Sequence, residues 1–288
     1  MRDLWQNLVA ENPMLIEMTR FRRRYFSFSA ANPMNGVVLS LVLIGYAAMV
    51  LIVAENRDAV SPLTLVIIQT GLLTLFAPMT LYGAVAGERE RRSWDLLLVA
   101  PITKSQIVAG KFIGALSALG IAIGLFLVPI VITGVSYRQA HWQTILVGEA
   151  VSVSFLMCVC ALTILFSSRV KRGLMALGAT LGLLMCGLIV LPALIGSGGS
   201  DVHLNDFTFY LHPFYVLGRL SMVDAYYSAG STFTYNTYLN GSYGGRWWGV
   251  AQTFVYVGMT AVLIGWAINT LNFAENEVKF LPQGHKDA

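Results

Sequence analysis

Charge is scarce in this sequence. Of 288 residues, 12% are Asp, Glu, Lys or Arg, and 56% are hydrophobic. Soluble domains carry roughly twice that share of charge, and a chain of this size in water could not hide so much apolar surface. Cysteine is limited to Cys158, Cys160 and Cys186, all within apolar runs, which argues against a disulfide framework. Cys158 and Cys160 stand two apart and face different ways on a helix, so buried thiols are a better reading than a metal pair. Histidine is limited to His141, His203, His212 and His285, all outside the apolar runs. No H-E-x-x-H, Ser–His or paired-Asp arrangement is present, which counts against a membrane-embedded enzyme. His203 and His212 with Asp201 and Asp206 read as a polar loop before they read as a metal site. No G-x-x-x-x-G-K-[ST] phosphate loop occurs, so no ATP hydrolysis, cofactor or metal is expected of this chain. The net charge of +4 does not call for nucleic acid, because placement matters more than the sum.

What is abundant is long charge-free sequence. Six apolar runs of 19 or more residues, 36–54, 63–86, 112–136, 150–168, 173–200 and 247–274, contain no charged residue. A helix needs roughly 20 such residues to cross about 30 Å of hydrocarbon, and backbone in lipid must satisfy its own hydrogen bonds. The expected fold is therefore an all-α membrane protein with six transmembrane helices. The first run starts too late and is too long for a cleaved signal, and Glu55 and Asp58 follow it. With the amino terminus inside, 15 of the 19 Lys and Arg residues fall on the inner side and only Arg57, Arg138, Arg219 and Arg246 on the outer. That bias predicts cytoplasmic amino and carboxyl termini. Spans cleared of charge and without visible repeats also speak against an ion-coupled transporter or channel.

The remaining segments divide the chain. Residues 1–30 hold a cytoplasmic tail and an amphipathic helix in which Met14, Met18, Phe21 and Tyr25 recur at helical spacing, with Arg22, Arg23 and Arg24 among them. Such a basic, aromatic helix lies flat in the lipid interface; a plain basic tail is the simpler alternative. Residues 31–197 carry spans one to five, including an inner loop over 87–106. Residues 198–246 form the one long outer loop, and 247–288 the sixth span and cytoplasmic tail. Within the outer loop, 207–217 is apolar, aromatic and too short to cross, so it reads as re-entrant or interfacial. Residues 225–245 read as an irregular cap. Pro78, Pro129 and Pro192 each lie inside a span, where each frees a backbone carbonyl. The small residues of 110–114 and 178–182 permit close helix approach, within the chain or between chains.

The inner loop from 87 to 104 carries the strongest functional signal. Glu88, Arg89, Glu90, Arg91 and Arg92 are consecutive charges, and Ser93-Trp94-Asp95-Leu96-Leu97-Leu98 follows at once. Ser93 can cap a short helix, Pro101 ends it, and Thr103 can cap the next. A solvated loop with snorkelling arginines is the bland reading. Trp beside three leucines suits docking into a groove on a soluble partner, with charges at the rim.

These residues resemble the coupling-helix region of type-2 ABC exporter permeases, the transmembrane subunits of ATP-binding-cassette transporters. The likeness rests on Glu88-Arg89-Glu90, Ser93 to Leu98, Pro101-Ile102-Thr103 and Gly110-Lys111, with Asn12-Pro13-Met14-Leu15 resembling the family's elbow helix. Arg92 departs from the glycine common there, and Glu17 sits one place from the usual acidic position. The resemblance implies a permease in a bacterial inner membrane that pairs with a second permease chain as a homodimer or heterodimer. It implies a separate ATPase subunit, binding ATP and Mg, that docks on 87–104. Carried over residue by residue, Glu88 and Glu90 set the coupling helix, Trp94, Leu96 and Leu97 anchor it, and Arg91 and Asp95 contact the rim. Residues 207–217 correspond to short outer re-entrant helices. A membrane anchor that recruits an ATPase without transport shares all of these features.

Overall fold

The computed structural model of the protein describes residues 33–56, 60–90, 102–136, 141–193, 211–228 and 244–279. The expected elbow helix, with Met14, Met18, Phe21, Arg22, Arg23, Arg24 and Tyr25, lies outside the described residues. So do Arg91, Trp94, Asp95, Leu96 and Leu97.

Every regular element among the described residues is helical. In chain order they are α1 (Pro33–Glu55), α2 (Pro62–Leu81), α3 (Ala86–Glu90), α4 (Lys104–Ser136), α5 (Trp142–Arg169), α6 (Gly173–Met185), α7 (Pro213–Ser228) and α8 (Gly244–Lys279). A π-helical turn, Cys186–Val190, extends α6. Five helical stretches are long and apolar enough to cross a membrane: Pro62–Glu90, Lys104–Ser136, Trp142–Arg169, Gly173–Ala193 and Trp247–Leu271. A further apolar helix, α1, is 23 residues long and has no charged residue before Glu55. The described residues are thus those of an all-helical, multi-pass membrane protein.

The bundle is built around α5. In its most apolar stretch 72% of residues are buried, against 17% for Gly173–Ala193, so α5 is central and the α6 span presents most of its surface outward. A core of Leu73, Ala77, Phe112, Phe155, Leu156 and Ile164 joins α2, α4 and α5. A second core, towards the other end, gathers Leu63, Val66, Ile130, Ile145, Leu217 and Leu220. Two glycines on this second core set the helix spacing. A Cβ on Gly148 would lie 2.8 Å from Leu63 Cδ2, and one on Gly249 would lie 2.5 Å from Val147 Cγ1. Their missing side chains let α2 and α8 close on α5. Of the two small-residue stretches singled out in the sequence, the glycines of the second, Gly178 and Gly182, face open space.

Two helices start eight residues before their charge-free runs. The helix expected over 150–168 begins eight residues earlier, at Trp142, and so carries Glu149 inside an apolar helix. Likewise α4 begins at Lys104 and takes Lys111 into its buried face. Absence of charge marks where a span must be, but not where its helix starts, because a charged side chain can be paired within the bundle. In the outer loop, α7 starts at Pro213 and runs to Ser228, past both the end expected at 217 and the start of the expected irregular cap at 225. Its 16 residues are too few to cross the hydrocarbon. It buries Val216, Leu217 and Leu220 against the bundle.

The span prolines explain two contacts between elements. Pro129 has no N–H to give Leu125 O, and the Tyr46 hydroxyl of α1 donates to that carbonyl at 2.9 Å. Pro192 likewise leaves Leu188 O, within the π turn, without its helical donor. His212 Nε2 fills that place at 3.0 Å. The same imidazole accepts the Tyr215 N–H on Nδ1 at 3.2 Å, capping the first turn of α7. Both nitrogens of His212 are therefore committed, one donating and one accepting, which is the neutral Nε2–H tautomer and not a metal ligand. Among the described residues no cluster of His, Cys, Asp or Glu suits a metal ion.

Candidate functional site

The end of the bundle from which residues 91–101 emerge holds the densest polar wiring. Here α2 stops at Leu81, the chain turns through 82–85, and the short α3 carries Glu88, Arg89 and Glu90. The sequence reading placed a helix after Ser93, outside the described residues; the charged stretch before it is itself helical.

The turn is pinned from α5. Ser167 Oγ accepts the Val85 N–H at 3.0 Å and the Ala86 N–H at 3.1 Å, and donates to Tyr82 O at 2.9 Å. One hydroxyl has one hydrogen and two lone pairs, so Ser167 spends its whole capacity on this turn. It is fully buried, and removing it would strand two amides and a carbonyl away from water. Ser167→Ala is expected to destabilise the protein by about 1–3 kcal/mol. Faster hydrogen exchange confined to Val85 and Ala86 would check it; unchanged protection there would contradict the assigned role.

The second tie comes from α4. Lys111 Nζ donates to Ala84 O and to Glu88 Oε1. Lys111 is 5% exposed, and the pair joins α4 to the root of the loop. A buried ammonium is tolerated only when paired in this way. The start of α4 is itself fixed by a reciprocal capping box. The Thr103 N–H donates to Gln106 Oε1 at 2.9 Å, and the Gln106 N–H to Thr103 Oγ1 at 3.3 Å. Thr103 thus caps α4 as its position suggested.

The third tie comes from α6. Glu90 Oε1 accepts the Gly173 N–H at 3.1 Å, which sets a carboxylate on the first turn of α6, where free amides and the helix dipole favour negative charge. Gly173 is needed at this spot. A Cβ there would stand 3.1 Å from Tyr82 Cδ2. At the same end Arg169 lies 4.2 Å from the centre of the Trp266 ring, and Ser168 Oγ and Thr270 Oγ1 are 2.9 Å apart, so α5 is fastened to α8 as well.

Of the expected site residues, Glu88 and Glu90 are placed, and both act as struts. Glu88 ties to α4 and Glu90 to α6. Neither stands alone on a free loop surface. Tyr82, Ser167 and Gly173 were not legible as site residues. A serine in an apolar run and a glycine after Arg172 carry no signal until the helices are packed. Lys111 did carry one, as a single charge entering an otherwise apolar helix. The arrangement binds one short charged helix to three others, α4, α5 and α6.

The family model described as ABC-2 family transporter protein matches residues 14–275 of this chain, which includes the whole of this wiring. No curated protein matches the chain.

Proposed function

The chain belongs to the ABC-2 family of transporter proteins, whose members are membrane permease subunits of ABC transporters, and from that premise we propose that it is the permease of an exporter driven by a separate ATPase docking on 87–104. The observation that carries this reading is the root of that loop. Glu88 and Glu90 fasten α3 to Lys111 of α4 and to the start of α6, and Ser167 fastens the turn to α5. A loop meant only to connect two spans needs no such anchorage. A loop that takes a push does, because displacement must reach the helices before it is lost in bending.

In this reading six spans cross a bacterial inner membrane, with α1 as the first and both termini cytoplasmic. Two permease chains pair, and two ATPase subunits bind ATP and Mg beneath them. Trp94, Leu96 and Leu97 fill a groove on the ATPase, while Arg91 and Asp95 set register at its rim. The elbow helix around Met14 to Tyr25 lies in the inner lipid interface. ATP closes the ATPases, the coupling helices move as levers, and the bundle exchanges inward for outward access. On the outer side α7 is the short re-entrant helix that seals the exit. It is held to α8 by the Tyr256 hydroxyl, which donates to Leu211 O at 2.6 Å.

The test is reconstitution of the chain with the ATPase that co-purifies with it. ATP-dependent movement of cargo, beginning with labelled lipid, is expected in sealed liposomes. ATP hydrolysis that is stimulated by the chain but moves no cargo, lipid or soluble, would assign it instead as an anchor for the ATPase.

A further inference from the structure

One carboxyl inside the bundle has no part in the coupling just described. Glu149 stands seven residues into α5 and Gln69 seven residues into α2, which places both about 10 Å in from the end opposite the loop. Gln69 is fully buried, and its Nε2 donates to Glu149 Oε2 at 3.0 Å. Beside them Thr70 Oγ1 donates to Val66 O at 2.7 Å and lies 2.7 Å from Ser152 Oγ. That second pair is satisfied within itself. The first is not. Gln69 Oε1 and Glu149 Oε1 are both shut off from solvent and have no hydrogen-bond partner among the described residues.

The two orphaned atoms belong to the same pair of side chains, and this is the informative point. With Glu149 ionised, both are acceptors and neither can satisfy the other. Among the described residues Glu149 forms no ion pair, and its one hydrogen bond is the one to Gln69. The described side chains of the neighbouring elements do not supply it with a cation. Along Pro62–Leu81 the α2 helix has no charged residue, and Trp247–Leu271 of α8 has none. Tyr256 of α8 gives its hydrogen to Leu211 O. The charges of α4, Lys104 and Lys111, stand at the loop end. On α7, Arg219 donates to Tyr215 Oη at 3.4 Å, and His212 is spent on Leu188 O and the Tyr215 N–H. On α5 itself His141 and Arg169 flank the two ends, and Cys158 and Cys160 lie further along.

We propose that Glu149 and Gln69 form a proton-binding site at the contact of α2 with α5. A proton taken up on Glu149 Oε1 turns that acceptor into a donor, and it is given to Gln69 Oε1, while the amide N–H continues to hold Glu149 Oε2. The acid and the amide are then joined by two parallel hydrogen bonds, and one proton satisfies both orphaned oxygens. No charge remains in the apolar contact, which is the condition for keeping α2 and α5 closed there. Separation of the two helices would wet the carboxyl and release the proton. Resting on the transport reading, that release would accompany opening of this end of the bundle. The site itself does not depend on that reading.

The test is infrared spectroscopy of the full chain with its ATPase in lipid nanodiscs, without ATP. A wild-type-minus-Glu149→Gln difference spectrum at neutral pH should show the carbonyl stretch of a protonated carboxylic acid, sensitive to D2O. The amide of Glu149→Gln mimics the neutral acid in size, so the variant should fold. Raising the pH on the wild type alone should remove the same band in a one-proton step, which needs no variant. Gln69→Leu should shift the band, because the acid loses its acceptor. Absence of a Glu149 acid band at neutral pH overturns the proposal. So does a band that appears only when sodium is replaced by a large organic cation, since a metal ion would then be the native occupant. Because no ATP is present, a failure here is distinct from a failure of transport.

Discussion

Lys111→Met is expected to leave the chain inserted in the membrane but to lower its melting temperature by roughly 10 °C. Lys111 is 5% exposed and bridges Ala84 O to Glu88. Taking one partner from a buried pair costs about 3–5 kcal/mol, because the other charge keeps its desolvation penalty and loses its compensation. The Glu88 side chain is 25% exposed, so water relieves part of that penalty and the lower figure, about 3 kcal/mol, applies. For a chain of this size each kcal/mol moves the melting temperature by about 2–4 °C. The double variant Lys111→Met, Glu88→Gln should recover part of the loss, since no lone charge is left behind. Thermal unfolding in lipid nanodiscs reads both. A single variant that melts with the wild type would show that the root of the loop is not held by this pair.

Trp94→Ala combined with Leu97→Ala is expected to abolish co-purification of the ATPase while membrane insertion stays normal. A large anchor in an interface groove is worth about 2 kcal/mol or more on truncation to alanine. Two of them together correspond to on the order of a thousandfold in affinity, enough to lose the partner during purification. Both residues lie outside the described residues, so the expectation rests on their order in the chain after the anchored α3. Undiminished co-purification would remove Trp94 and Leu97 from the docking surface. The two experiments separate the lever from its seat. The lysine variant loosens the root, whereas the tryptophan–leucine variant removes the contact and leaves the root intact.

Much of the fold was legible because lipid is a demanding solvent. Runs such as 112–136 and 247–274 could be only helices, and α4 and α8 cover them. The capping role of Thr103 was legible for a local reason: a threonine and a glutamine three apart need nothing beyond their own backbone. The positions of Pro129 and Pro192 told which carbonyls would be freed, but not that Tyr46 and His212 would take them, since those donors come from other elements. The start of α5 was misjudged by eight residues because Glu149 was treated as a boundary. Its partner, Gln69, is 80 residues away in the chain.

The sequence by itself determined the solvent, the helical class, the family resemblance and the position of the charged 87–104 loop. All of these depend on composition, on local periodicity or on a short motif. Only the tertiary structure decided that α5 is the central helix, that Ser167, Lys111 and Gly173 hold the loop's root, and that Gln69 faces Glu149. The physical reason is that hydrogen bonds and ion pairs in a membrane must be closed between helices, and which side chains meet is settled by packing long after hydropathy has assigned the spans.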